Sequence, residues 1–153
     1  MSEYFAEIDW QLGSQNFLDR SYSRAHSWRF DGGSEIPATA SHHIVPVPLS
    51  VPENVDPEEA FVASLASCHM LFFLDFAARA GYEIKRYTDR AVGTLAKNKQ
   101  GKFAMTRVIL QPVIDFGGAN IPDSQAIDRL HHKSHDHCFI ANSVHTQIEI
   151  RSN

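Results

Sequence analysis

Hydrophobic and polar positions alternate along the first third of the chain and then give way to one long apolar run. Tyr4 to Leu12 alternates with the period of a half-buried strand. Gly13-Ser14-Gln15-Asn16 reads as a turn. Ser21 to Phe30 alternates again and stops at Asp31-Gly32-Gly33, a strong turn signal. A third extended stretch is predicted near Ile36 to Val45. Residues 46–57 hold four prolines, Pro46, Pro48, Pro52 and Pro57, and read as a rigid irregular loop.

The apolar run reads as a helix with a start and a stop. Asp56 can accept hydrogen bonds from the free amides of a first turn, and Pro57 suits the first helical position, where its missing N–H costs nothing. Glu58 and Glu59 place negative charge at the positive end of the helix dipole. Gly81 can take the left-handed conformation that closes a helix. Pro57 to Ala80 is 24 residues, which spans roughly 36 Å. Between Ala60 and Leu74 only Ser64, Ser67 and His69 interrupt the apolar sequence, and Cys68 sits among them. A helix apolar all round is expected to be buried on most sides. Its uninterrupted apolar length and its charged ends do not favour a membrane span.

Beyond Gly81, Tyr82 to Leu95 is strand-like, Lys97 to Lys102 is a polar hairpin loop, and Phe103 to Phe116 reads as the paired strand. Pro112 lacks a donor and is expected at an edge or a bulge. Pro122-Asp123-Ser124 opens a second helix with Ala126, Ile127, Leu130 and His131 on one face. Cys138 to Val144 suggests a short further helix, and Gln147 to Arg151 closes the chain as a strand. The predicted order βββ-α-ββ-α-β gives an α+β fold with antiparallel pairing and helices on one face of the sheet, in a single domain over residues 1–153.

Composition narrows the class without deciding it. Apolar content of 43%, charged content of 21% and a formal charge of −4 describe a soluble globular chain. No cluster of Lys and Arg marks a nucleic-acid footprint. Met1-Ser2-Glu3-Tyr4-Phe5 lacks the basic and apolar segments of a secretory signal, so a cytoplasmic location is the expectation. Two cysteines in such a chain argue against a structural staple.

Cys68 and Cys138 each have two readings. A free cysteine is often a small buried hydrophobe. The chemical alternative is a redox pair, in which a thiolate attacks an O–O bond, becomes a sulfenic acid, and is resolved by a second thiol to a disulfide. That chemistry needs a cation to lower the pKa of the first thiol. Glu58, ten residues before Cys68, cannot touch the thiol through its own helix. An arginine from the N-terminal hairpin region, which holds Arg20, Arg24 and Arg29, could link the two. The plainer reading makes Glu58 a dipole partner and each arginine a surface charge. Nine histidines are also unusual, and His131, His132, His135 and His137 crowd beside Cys138. His131 and His135 share a helix face and could hold zinc, but Cys138 as a further ligand would lose its redox role. His69 is turned about 100° from Cys68 on a helix, which fits a hydrogen-bonded core histidine better than a base for its neighbour. Phe72, Phe73 and Phe76 read as packing, as do Trp10 and Trp28.

These residues resemble the OsmC/Ohr family. The likeness rests on Asp56-Pro57-Glu58-Glu59 leading through Ala-rich sequence into Ser67-Cys68-His69, then Ala80-Gly81, then Cys138-Phe139-Ile140-Ala141-Asn142-Ser143. It covers nearly the whole chain, including the order of elements. The resemblance implies a peroxidatic Cys68 and a resolving Cys138, with Glu58 and an N-terminal arginine paired to the thiolate. It also implies an intertwined homodimer with two central helices in its core and active sites at the subunit interface. The implied substrates are organic or fatty-acid hydroperoxides, with no bound cofactor or metal and with an external thiol or lipoyl-type dithiol as reductant. The Ohr branch carries its arginine in a Gly-Gly-Arg-Asp-Gly turn, which is absent here. The matching region reads Asp19-Arg20-Ser21-Tyr22-Ser23-Arg24-Ala25-His26, making Arg24 the nearest match and Arg20 the runner-up. The chain therefore looks OsmC-like rather than Ohr proper. A non-catalytic, small-molecule-binding or stress-associated dimer is the alternative to a peroxidase.

Overall fold

A computed structural model describes residues 1–152. It divides into two compact units, Met1–Ala60 and Phe61–Asn153. The first unit holds an antiparallel sheet of β1 (Ala6–Asp9), β2 (His26–Phe30) and β3 (Glu35–Ala38). Arg29 stands opposite both Glu7 and Glu35. Its guanidinium reaches Glu7 at 2.7 Å, Glu35 at 3.5 Å and Asp9 at 3.6 Å, so charge on one face fixes the register. Ile8, Trp28 and Ile36 line up on the other face, the apolar half of the predicted alternation.

The third strand is shorter than predicted. Ile44 and Val45 have strand-like side chains, but the Ser41 carbonyl accepts from both their amides at 3.0 and 2.9 Å, and the Ser41 hydroxyl accepts from the His43 amide at 3.3 Å. A serine that captures its neighbours' amides offers the backbone a turn in place of a ladder. The following loop is stitched back by Val51 N donating to Thr39 Oγ1 at 3.0 Å and by an isolated bridge between Ala38 and Val55.

Helix α1 runs from Pro57 to Arg79. Asp56 Oδ1 accepts from the Glu59 amide at 2.8 Å while Glu59 Oε2 accepts from the Asp56 amide at 3.2 Å, a reciprocal capping box. Gly81 closes the helix with φ +81°, as its position predicts. The buried positions Leu65, His69, Phe73, Phe76 and Ala77 form one stripe at helical spacing. The rest of the helix is covered less than the sequence predicts, and Leu71 is 59% exposed in the single chain. By length and composition α1 is apolar enough to cross a membrane, with a mean hydropathy of 1.7, a test that core helices also pass.

The two long strands predicted after Gly81 are each broken in two. β4 (Glu83–Asp89) and β7 (Pro112–Gly117) form one antiparallel pair, while β5 (Val92–Lys97) and β6 (Phe103–Leu110) form another. The breaks lie opposite each other and are bonded together: Asp89 Oδ1 accepts from the Gln111 amide at 2.7 Å, and Gln111 Nε2 donates to the Arg90 carbonyl at 2.8 Å. Pro112 is the first residue of β7, where its missing donor removes nothing from the ladder. β8 (Gln147–Ile150) pairs with β6 in parallel, against the otherwise antiparallel pattern.

α1 lies across both of these sheets. Its first half sets Leu65 against Val108 and Leu110 of β6, with Ile148 and Ile150 of β8 beside them. Its second half sets Phe73, Phe76 and Ala77 against α2 (Ser124–His137) through Leu130, with β4 and β7 supplying Ile84, Tyr87, Ile114 and Phe116. Asp123 caps α2 by accepting from the Ala126 amide at 2.7 Å. A short 3₁₀ turn, Ala141–Ser143, follows α2 and leads to β8.

Candidate active site

The start of the site is the end of α2. Cys138 is the C-terminal cap of that helix, with its amide donating to the His135 carbonyl at 3.2 Å. The chain then folds into the 3₁₀ turn, so the Ala141 amide donates to Cys138 Sγ at 3.4 Å. The thiol is 1% exposed. Burial pushes it up to about 11, and a hydrogen bond to the Cys68 side chain pushes in the same direction. The two cysteines, 70 residues apart in sequence, are therefore neighbours in space. Both are free thiols, with Cys68 half-buried beside the covered stripe of α1. The structure thus brings together the two predicted thiols and gives them unequal exposure to solvent.

Cys138 faces a narrow gap of about 160 Å³ that has no room for a water molecule. The gap is lined by Leu65, His69, Leu110, His135, Ala141 and Ile148 besides the thiol. Its only polar side chains other than Cys138 are the two imidazoles.

His69 is a core histidine, as its helical position predicts, and its partner is His131 on α2. His69 Nε2 and His131 Nδ1 are 3.0 Å apart, with the rings 11° from parallel. Burial holds His69 down to about 4, and positive charge on His131 and on His135 presses it the same way. Burial also holds His131 down to about 4, against a partial upward pull from Asp128. Both rings are therefore neutral at pH 7. One nitrogen between them donates and the other accepts, leaving His69 Nδ1 and His131 Nε2 buried without partners. Sequence reading placed each ring on a buried face but missed the pair, because 62 residues separate them and no local spacing joins them.

The rest of the histidine cluster disperses. His132 lies 3.5 Å from Asp136 on the exposed side of α2. His137 Nδ1 donates to the Lys133 carbonyl at 2.9 Å, with its ring against Phe76. Among the described residues no three His, Cys, Asp or Glu side chains converge as a metal site.

Arg24 and Glu58 belong to the first unit. The Arg24 guanidinium donates to the Arg20 carbonyl at 2.9 Å and to the Tyr22 carbonyl, and lies 3.9 Å from the Tyr22 ring centroid. Its amide donates to the Leu49 carbonyl at 2.7 Å, anchoring the turn. Glu58 is half-buried in the first turn of α1. Among the described residues Arg24 and Glu58 do not form an ion pair with each other. Arg20 has φ +65°, a left-handed conformation uncommon for a side chain of its size, in a turn where Asp19 accepts from the Ser21 amide and hydroxyl.

A family model described as OsmC-like protein matches residues 51–153, which include both cysteines and all of α1. The chain belongs to the OsmC-like family. An OsmC-like protein of unknown function from Vibrio cholerae O1 is 53% identical over 100% of both chains, with a TM-score of 0.99. Two more distant structures share the fold. An organic hydroperoxide resistance protein from Legionella pneumophila is 14% identical, covers 99% of this chain and 96% of its own, and has a TM-score of 0.69. An organic hydroperoxide resistance protein from Elizabethkingia anophelis, with thiocyanate bound, is 18% identical, covers 99% and 94%, and has a TM-score of 0.68. Among curated proteins no relative matches this chain.

Proposed function

We propose that this OsmC-like protein is a cytoplasmic thiol peroxidase that reduces organic hydroperoxides in stress defence. The observation that supports this best is the pair of free thiols within hydrogen-bonding reach, one half-buried and one sealed in the core. The Cys68 thiolate attacks the terminal oxygen of the hydroperoxide; the S–O bond forms as the O–O bond breaks, and the alkoxide takes a proton to leave as an alcohol. Cys68 is then a sulfenic acid. The Cys138 sulfur attacks it, the S–S bond forms, and the hydroxyl leaves as water. An external dithiol restores both thiols by exchange.

Under this reading Arg24 is the cation for the thiolate and for the developing alkoxide charge. Glu58 orients that arginine, and a homodimer encloses the site. No bound cofactor is required, since the two sulfurs carry the electrons.

A thiol count tests the reading. Reduced protein treated with one equivalent of cumene hydroperoxide is expected to lose both thiols as one internal disulfide. Cys68→Ser is expected to lose peroxide turnover with a dithiol reductant. Two unreacted thiols in the wild type, or unchanged turnover in Cys68→Ser, would refute it and favour a non-catalytic binding protein.

A further inference from the structure

The resolving step raises a proton problem that the void around Cys138 makes specific. Cys138 must give up its thiol proton as its sulfur attacks Cys68, yet burial and the bond to Cys68 hold that proton tightly, up to about 11. The void has no room for water, so no solvent molecule inside it can take the proton. Leu65, Leu110, Ala141 and Ile148 offer no acceptor side chain, which leaves His69 and His135. His69 is bonded to His131 through Nε2 at 3.0 Å, and its unpartnered Nδ1 is buried and has no way to pass a proton on to solvent. A proton on His135 further disfavours one on His69. His135 has no such bond among the described residues, lines the same gap and is half-buried, so it has contact with both the gap and solvent. It sits three residues before Cys138, on the last turn of α2, and its carbonyl accepts from the Cys138 amide, so ring and thiol belong to one rigid turn.

We infer that His135 is the proton acceptor for Cys138 in disulfide closure and carries that proton from the gap to solvent. This rests on the thiol peroxidase reading. The balance is simple: His135 takes the Sγ proton of Cys138, the S–S bond forms as the S–O bond of the Cys68 sulfenic acid breaks, and the leaving hydroxide takes a proton to become water. The imidazolium then releases its proton to solvent, and the hydroxide leaving half-buried Cys68 takes one from solvent, so His135 ends unchanged.

The charged and titratable groups around this imidazole are few. α1 contributes Cys68 and the neutral His69. α2 contributes His131, with Asp128 near it, and Asp136, which is turned to His132. The strand residues on the void, Leu110 and Ile148, carry no charge. The part of any pH dependence of closure that comes from His135 should vanish when its imidazole is replaced by a side chain that does not titrate.

The test separates closure from peroxide attack. Reduced protein is mixed with one equivalent of cumene hydroperoxide in the presence of dimedone, which traps sulfenic acid. Intact-mass analysis then follows adduct and disulfide over time at several pH values. His135→Gln and His135→Asn are compared with wild type and with His132→Gln, which alters an exposed histidine on the same helix. In the His135 variants we expect disulfide closure to slow by about a hundredfold, the scale of a lost general base. We also expect the dimedone adduct to dominate and the dependence of closure on pH to flatten. His132→Gln should follow the wild type. Closure in both His135 variants at the wild-type rate and with the wild-type pH profile overturns the proposal alone. A slowed closure that keeps the wild-type pH profile also overturns it, because a purely structural role would do that. Wild-type protein that forms neither adduct nor disulfide overturns the peroxidase reading and this proposal with it.

Discussion

The buried pair His69–His131 should make this protein acid-sensitive well above the range where carboxylates titrate. Burial holds His69 at about 4 in the folded state, against an ordinary 6.5. Above pH 6.5 both folded and unfolded chains carry the neutral ring, and the pair has no pH-dependent cost. As pH falls from 6.5 toward 4, the unfolded chain binds a proton that the folded chain refuses, so stability falls with pH across that window. At about 1.36 kcal/mol per pH unit the full drop for His69 is about 3 kcal/mol. His131, also held at about 4 despite the upward pull of Asp128, loses stability in the same direction and to a similar extent. Asp89 runs the other way, because burial raises its carboxyl and its proton uptake offsets part of the loss. Glu149, held down by Arg151 and Arg107, contributes stability that is lost only below the usual glutamate range. The window between pH 6.5 and 4.5 thus belongs to the histidines. Urea unfolding of reduced protein at one fixed concentration, at pH 7, 6, 5 and 4.5, reads the slope directly. In His69→Leu/His131→Leu both hydrogen-bonding partners become apolar together, which spares a stranded polar atom. That variant should lose most of the slope, so that its stability relative to wild type improves by about 3–5 kcal/mol between pH 7 and 4.5. A slope equal to the wild-type slope would refute the assignment.

Two further predictions concern the scaffold. Gly93 of β5 lies where an added Cβ would sit 2.5 Å from both Val62 Cγ2 on α1 and Met105 Cε on β6. Met105 can swing aside but the stiff valine cannot, so Gly93→Ala should cost about 1–3 kcal/mol in urea unfolding, and no loss would show that α1 is not seated on β5 as described. Asp56→Ala removes one side of the capping box and should cost about 0.5–2 kcal/mol. Asp56→Asn should recover most of that, measured by thermal melting at neutral pH.

Much of the fold was legible because its punctuation is local. Asp56, Pro57 and Gly81 bound α1, Pro122-Asp123-Ser124 opens α2, and both sets of signals act within a few residues of where they stand. The misread strands fail for the opposite reason. Nothing within Tyr82 to Leu95 marks a break, because the break is made by Asp89 and Arg90 bonding to Gln111, more than 20 residues away. The Ser41 turn shows a local signal that was present but outweighed by the β-branched pair after it. At the site, both cysteines could be picked out by their motifs, and their proximity rests on packing that the resemblance implied. The His69–His131 bond joins two helices face to face, and no periodicity within either helix encodes which residue of the other it meets. Arg24 is the hardest case. The carbonyls of Arg20 and Tyr22 hold its guanidinium, and no carboxylate beside it in the sequence or the fold marks it out for the role that the resemblance implies.

The unequal burial of the two thiols bears on how a dithiol site avoids damaging itself. Susceptibility to oxidation follows thiolate character and exposure. A thiol pushed up to about 11 and closed off from water is almost wholly protonated at pH 7 and out of reach of peroxide. Cys138 is therefore protected from direct oxidation by the same burial that makes it a reluctant nucleophile. That reluctance is useful only if something lifts it once Cys68 has become a sulfenic acid. On the proposed peroxidase reading, oxidation of Cys68 changes the sulfur to which the Cys138 thiol is hydrogen-bonded, and with it one of the two forces holding that proton in place. The remaining force is burial, which a neighbouring imidazole on the same void can offset by sharing the proton. On that reading the order of events follows from the environment: Cys138 becomes available only after Cys68 has reacted. A Cys68→Ala protein should accordingly leave Cys138 resistant to both hydroperoxide and iodoacetamide. Rapid alkylation of Cys138 in that variant, at a rate near that of a free thiol in solution, would show that burial protects it less than the narrow gap implies.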